Sequence, residues 1–331
     1  MVLLAGLLAL SCSSVWGQDL SFRALHYWDQ YDLSDSTLYR PVGGIAGEDS
    51  FSAMETEAAN FFALLKNVPD SVARIAVGNY LDRAALASRD GFDAYGQILG
   101  IAEKYFYNVQ SPYYCEEMLL PFLDHKIARA DIPEVEKSRE KYLAMIIRRN
   151  SVGSKAEDFK LYEISGKGAG KNTATLYEFL GQLTERQSLM IVFFTDGCRD
   201  CIDGIARLKH SPAVRNMISE GYLAVLAVCT QGQLSNVKAR IPDSWTVADD
   251  GGYLFQNSLY STRQIPSVYF LERDGVVLLK DASVSSAIQF LLEHFEYEIV
   301  SGVPFFGPLG TVAWDFFLNL RTEENLLYLT L

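Results

Sequence analysis

The apolar run Ser188–Phe194 (SLMIVFF), closed by Thr195-Asp196-Gly197 and then Cys198-Arg199-Asp200-Cys201, constrains this chain more than any other stretch. An apolar run of strand length that does not alternate is expected of a central strand covered on both faces. Gly197 supplies a turn, and helical spacing resumes at the first cysteine. Such a strand–turn–helix unit places Cys198 at a helix N-terminus, where backbone amides lack partners and negative charge is favoured. A thiolate there is stabilised, so attack on a disulfide becomes feasible near neutral pH. Cys201 follows one turn deeper on the same helical face and can resolve a mixed disulfide formed at Cys198. Arg199 favours the thiolate, whereas Asp196 and Asp200 oppose it.

Three other uses of the pair compete. Zinc needs two further ligands at suitable spacing, but there is no second cysteine pair and His26, His125, His210 and His294 are scattered. A structural staple across so short a loop stabilises little, because little chain entropy is removed. A peroxidatic cysteine has partial support. Thr195 stands three residues before Cys198, as in peroxiredoxins, but the proline those enzymes place seven residues before the cysteine is Ile191 here.

The chain around this segment divides in two. Its 331 residues suit two domains of ordinary size. Over about residues 21–150 the pattern is helical, with stripes such as Phe92, Tyr95, Ile98, Leu99, Ala102, Tyr105 and Val72, Ile75, Ala76, Tyr80. Val135, Tyr142, Leu143 and Ile146 follow Pro133 on a further helix, and Pro121 should divide the helix expected over Glu116–Ala130. A polar connector, Ser151–Lys155, leads into strand Phe159–Ile164, a glycine–lysine turn over Gly166–Lys171 and a helix over Thr173–Leu183. Helices over Cys201–Lys209 and Pro212–Glu220 and the buried strand Leu223–Val228 come next. Ser267–Leu271 and Val276–Lys280 form a hairpin at Asp274-Gly275, and Ser285–Glu298 is a closing helix. This is an α/β layout with a central mixed sheet flanked by helices, preceded by an all-α domain. Residues 301–331 form a tail that matches neither pattern.

Ile265-Pro266, opening the strand Ser267–Leu271, is the second informative element. Proline is tolerated at a strand start on its own account. Beside a dithiol, a cis bond there would aim the backbone of Ile265 at an extended substrate chain.

With these elements in place, the sequence resembles the thioredoxin-like superfamily, in its TlpA/ResA-type periplasmic branch. The resemblance covers about Ala156–Val300. It rests on Ala156-Glu157-Asp158-Phe159, the strand–Cys-x-x-Cys–helix unit, and Arg263-Gln264-Ile265-Pro266-Ser267-Val268-Tyr269. It implies Cys198 as nucleophile, Cys201 as resolving thiol, Ile265 and Pro266 as the substrate-binding cis-proline element, and Trp245 with Asp249 and Asp250 inside a branch-specific insertion. It implies protein disulfides as substrates and an external thiol–disulfide partner, with the redox-active disulfide Cys198–Cys201 in place of a separate cofactor. Gly197 stands where an aromatic residue is common, and the Arg199-Asp200 dipeptide is unusual. That leaves open the direction of transfer, in a superfamily whose potentials span on the order of −270 to −120 mV. In the helical half, Tyr27-Trp28-Asp29-Gln30-Tyr31-Asp32, Glu103-Lys104-Tyr105-Phe106-Tyr107 and Ser111-Pro112 resemble an uncharacterised domain that precedes such domains in Gram-negative bacteria. Two functions remain beside thiol exchange: a non-catalytic binding protein whose helical domain recruits a partner, and a thiol peroxidase.

Of the remaining cysteines, Cys115 and Cys229 fall in different expected domains and read as small packed hydrophobes. Cys229, closing the strand Leu223–Val228, is also a candidate third thiol. Val2–Leu10 followed by Val15-Trp16-Gly17 fits a signal peptide over residues 1–17, hence a periplasmic protein. The alternative is a lipoprotein anchored through Cys12, the one route to a membrane. A net charge of −12 with no basic stripe argues against nucleic-acid partners.

Overall fold

The computed structural model describes residues 19–41, 51–89, 91–108, 111, 113–166 and 173–301. The expected leader with Cys12, the glycine–lysine turn beyond Gly166 and the tail beyond Ser301 lie outside the described residues. The chain forms two compact units that divide between Ala144 and Met145.

The first unit is helical. α1 covers residues 19–26, followed by α2 (Ala53–Leu65), α3 (Asp70–Ala87), α4 (Ala94–Phe106) and α5 (Leu120–Ala128). α6 (Ser138–Arg148) crosses the division. Side-chain caps set two of the starts: Ser52 accepts the Glu55 amide at 3.0 Å and Asp93 accepts the Gly96 amide at 2.8 Å. Pro121 sits in the first turn of α5, where its missing N–H costs nothing, and separates α5 from the 3-10 turn Glu116–Leu119.

Two of the expected apolar stripes match the real core only in part, Ala76, Tyr80 and Leu143 being buried as expected. On α3 the buried residues are Ala73, Ala76, Val77, Tyr80, Leu81 and Ala84, while Ile75 is 57% exposed. On α6 Leu143, Ala144 and Ile147 are buried, while Tyr142 is exposed, as is Val135 just before the helix. On α3 the reason lies in the aromatic centre. Trp28 is buried and stacks on Tyr80 with ring centroids 4.0 Å apart, and it meets Phe61 edge-on at 5.5 Å. Rings supplied from elsewhere fill the space over α3, so α3 turns its alanines inward. The aromatic cluster Tyr27, Trp28, Tyr31 therefore belongs to this unit's own packing; the Tyr27 hydroxyl donates to Glu57 Oε2 at 2.8 Å.

The second unit is built on a seven-stranded sheet, ordered β2-β1-β5-β4-β3-β6-β7. The strands are β1 (Lys160–Gly166), β2 (Ala174–Thr175), β3 (Ser188–Thr195), β4 (Leu223–Gln231), β5 (Thr246–Asp249), β6 (Ser267–Leu271) and β7 (Val277–Ala282). The helices are α7 (Leu176–Leu180), α8 (Arg199–His210), α9 (Pro212–Ser219), α10 (Leu234–Val237), α11 (Tyr253–Asn257) and α12 (Val284–Ser301). β3 runs parallel to β4 and antiparallel to β6. Its side chains alternate between two cores. Met190, Val192 and Phe194 pack with Cys201, Ile205, Leu208 and Phe290, whereas Leu189, Ile191 and Phe193 pack with Phe159, Phe179 and Tyr260. The unbroken apolar run is thus a strand with no solvent face.

Three expectations change. The helix expected over Thr173–Leu183 is shorter, because Ala174–Thr175 pairs with β1 and Thr175 then caps α7 in a capping box with Glu178. The segment expected as an insertion carries a strand of the sheet. Trp245 is buried, and Thr246–Asp249 is the internal strand β5 between β1 and β4. β4 continues to Gln231, so Cys229 lies inside the strand and not at its end.

The connector is held at several points. Arg149 Nη1 donates to the carbonyls of Asn257 and Ser258 at 3.0 and 2.8 Å, and Asn150 Nδ2 to that of Leu259 at 2.8 Å. The Gly153 amide donates to Val277 O at 2.8 Å, and the Ala156 amide to Gly275 O at 2.8 Å. Residues 149–156 therefore run as a bonded edge of the second unit.

Candidate active site

β3 delivers the chain to Thr195; Asp196 and Gly197, the latter at φ +73°, turn it into α8. That positive φ is a backbone conformation glycine adopts without strain. Cys198 is the N-cap of α8, and the amide of Cys201 points at its sulfur with N···Sγ 3.0 Å. Cys198 and Cys201 form a disulfide, with Cα atoms 5.2 Å apart. The two sulfurs are unequal in access. Cys198 is half-buried and Cys201 is 1% exposed, packed against the core beneath β3. An incoming disulfide can meet Cys198 and not Cys201. On reduction, the same amide and the N-terminal dipole of α8 favour negative charge at Cys198.

The residues expected to tune the thiol divide. Arg199 and Asp200 are exposed in the first turn of α8. Asp196 is braced against the exit of β4: its amide donates to Gln231 O at 2.9 Å and its carboxylate accepts the Gln233 amide at 3.3 Å. Between these lies Gly232 at φ +93°, where a Cβ would stand 2.3 Å from Asp196 Cβ. A side chain at 232 is thereby excluded by the active-site turn itself.

The Ile265–Pro266 peptide is cis. Ile265 O lies 3.9 Å from Cys198 Sγ, so the strand entry and the dithiol face one another across one small gap. Gly204 on α8 allows this approach. A Cβ there would sit 2.7 Å from Pro266 Cγ and 3.1 Å from Val284 Cγ2. Sequence reading missed both Gly204 and Gly232; glycine inside the helical stretch after Cys201 was the one available signal.

Cys229 lies in β4 opposite Phe194 and Asp249 and is fully buried. Its thiol donates to Gln231 O at 3.3 Å. Burial, with the nearby carboxylates of Asp249 and Asp196, pushes its pKa up to about 11. Cys115, in the first unit, is pushed up to about 12, again chiefly by burial. A thiol stays protonated below its pKa, so both are poor nucleophiles near neutrality. Iodoacetamide applied to the reduced, folded protein at about pH 8 is therefore expected to label Cys198 and leave Cys115 and Cys229 unmodified until denaturant is added. Mass mapping of the peptides checks this. Native-state labelling of Cys229 at a rate near that of Cys198 would restore it as a third redox thiol. The sign for stability follows: the unfolded chain releases the Cys229 proton near the ordinary thiol value of 9.0 and the folded one near 11. The contribution is whole below about pH 9 and is lost as pH rises toward 11.

Residues 160–301 have a thioredoxin-like fold, with its dithiol at the head of α8 and its proline at the entry to β6. Comparison with known proteins agrees. Residues 18–150 match a family described as a domain of unknown function, DUF5106. A thioredoxin-like protein from Bacteroides caccae superimposes with a TM-score of 0.68 at 26% identity, over 84% of this chain and 94% of that one. Two shorter likenesses are too slight to carry an argument. The C-terminal domain of an uncharacterized protein from Bacteroides fragilis gives 29% identity over 43% of this chain and 98% of that one, with a TM-score of 0.37. A putative thiol:disulfide interchange protein DsbE from Chlorobium tepidum gives 22% over 43% and 96%, with a TM-score of 0.33. No curated protein matches the chain.

Proposed function

We propose that this protein is an exported thiol–disulfide oxidoreductase that exchanges the Cys198–Cys201 pair with disulfides of other proteins. The observation that carries the reading is the placement of Cys198 Sγ, 3.0 Å from the Cys201 amide and 3.9 Å from Ile265 O, with Cys201 occluded behind it. The likeness to a thioredoxin-like protein supports a redox-related role. In the reducing direction, the Cys198 thiolate attacks one substrate sulfur, forming a mixed disulfide and releasing the other as a thiolate, which takes up a proton. Cys201, deprotonated as it attacks, then displaces the substrate from Cys198, and its proton goes to the departing sulfur. The substrate leaves as a dithiol, the enzyme as a disulfide, and an external dithiol resets it. The oxidising direction is the same sequence reversed.

Periplasmic placement rests on Val2–Leu10 and the cleavage pattern at Gly17, with lipidation at Cys12 as the variant reading. The test is direct. The full chain lacking residues 1–17 should accelerate insulin precipitation by dithiothreitol, and its dithiol should equilibrate with a glutathione redox buffer. A dithiol that equilibrates with neither insulin nor glutathione overturns the proposal.

A further inference from the structure

The loop carrying Ile265 and Pro266 is fastened at both ends to a single buried carboxylate. Asp281, near the end of β7, is 3% exposed. The β6–β7 register slips here: Val268 pairs with Ala282 but Phe270 with Leu279, so β7 holds one residue more than β6 over this interval. Asp281 has φ +45°, a conformation that side-chain-bearing residues rarely adopt. A bulge of this kind re-aims a side chain away from strict alternation, and here the carboxylate reaches the loop before β6. Ser261 Oγ donates to Asp281 Oδ2 at 2.8 Å, Arg263 Nε to the same oxygen at 2.9 Å, and Ser267 Oγ to Oδ1 at 2.7 Å. Ser261 and Arg263 precede the Ile265–Pro266 bond, and Ser267 follows it. Tyr269 adds a tie from within β6, its hydroxyl donating to Ser261 O at 2.6 Å.

Burying a carboxylate and a guanidinium carries a desolvation cost that only good geometry offsets. The three donors provide that geometry, and all three lie on the segment that faces Cys198. A purely structural ion pair has no need to gather both flanks of one short loop.

We propose that Asp281 is a positioning residue: through Ser261, Arg263 and Ser267 it holds Ile265–Pro266 at the distance from Cys198 at which an extended, disulfide-bearing peptide can dock along the loop. This deepens the redox reading and rests on it. An extended substrate backbone would use the polar groups at residue 265 while its sulfur meets Cys198. A small disulfide has no backbone to dock and needs only the thiolate.

The two substrate classes therefore separate the role. In Asp281→Asn, KM for insulin should rise roughly five- to tenfold with kcat changed less. The rate with hydroxyethyl disulfide should stay within about twofold. Ser267→Ala, which leaves the Arg263 pair in place, is the milder variant and should raise KM for insulin about two- to threefold. Circular dichroism and thermal melting establish that each variant is folded. Equal loss on both disulfides, or no change on either, in a folded variant overturns the proposal. Should the wild type exchange with neither disulfide, the redox reading fails, and the clamp is then judged on amide hydrogen exchange at Ser267 and Val268. Faster exchange in Asp281→Asn upholds the clamp; unchanged exchange overturns it.

Discussion

Cys198→Ser should lower the rate of insulin reduction by roughly three orders of magnitude or more, because it removes the group on which every later step depends. Cys201→Ser should behave differently. Its Cys198 keeps the Cys201-position amide and the head of α8, so the first attack survives while resolution is lost. The expected product is a mixed disulfide between Cys198 and the substrate, stable on a non-reducing gel and released by dithiothreitol. The asymmetry follows from access: a half-buried sulfur in front, a 1%-exposed one behind. Equal loss in the two variants with no trapped species would contradict the assigned order of attack. Trapping from a cell extract would also identify the client.

Gly204→Val is expected to destabilise the second unit by about 2–3 kcal/mol and to depress exchange beyond what that loss explains. Alanine is the weaker probe, since replacing a helical glycine returns about 1 kcal/mol of helix propensity. Valine returns less of it and adds two methyl groups toward Pro266. The ring cannot swing aside as a long side chain would, with its Cγ already 2.7 Å from the position of the first added carbon. α8 and the β6 entry must then separate, carrying Cys198 away from Ile265 O. Thermal melting reads the first effect and the insulin rate at a temperature well below the transition reads the second. A variant with wild-type stability and rate would show that the close approach of Gly204 to Pro266 matters to neither.

Much of this protein can be read in order along the chain. The strand before Cys198, the glycine turn, the helix that begins there, and Pro266 at the head of the next strand are all local. Each rests on residues a few positions apart: an apolar run without alternation, turn chemistry, a cap, a fixed φ. The division into a helical half and an α/β half is legible for the same reason, since period and composition change together near residue 150. What escaped was whatever depends on partners distant in sequence. β5 is four residues long and ends in Asp249, so it has no periodicity to detect; it is a strand because β1 and β4 supply both of its edges. Ile75 belonged to a plausible stripe, yet on α3 the core chose the neighbouring alanines once the rings of Trp28 and Phe61 occupied the space.

The dithiol is where the two kinds of information meet. That Cys198 caps a helix after a buried strand, with Cys201 one turn on, is legible locally, because backbone hydrogen bonding within a short stretch dictates both. What stands opposite comes from long-range packing: Gly204 letting Pro266 close in, Gly232 making room for Asp196, and Asp281 reaching from β7 to hold the loop. Those contacts join residues that folding alone brings together, and nothing in the spacing of either partner announces the other.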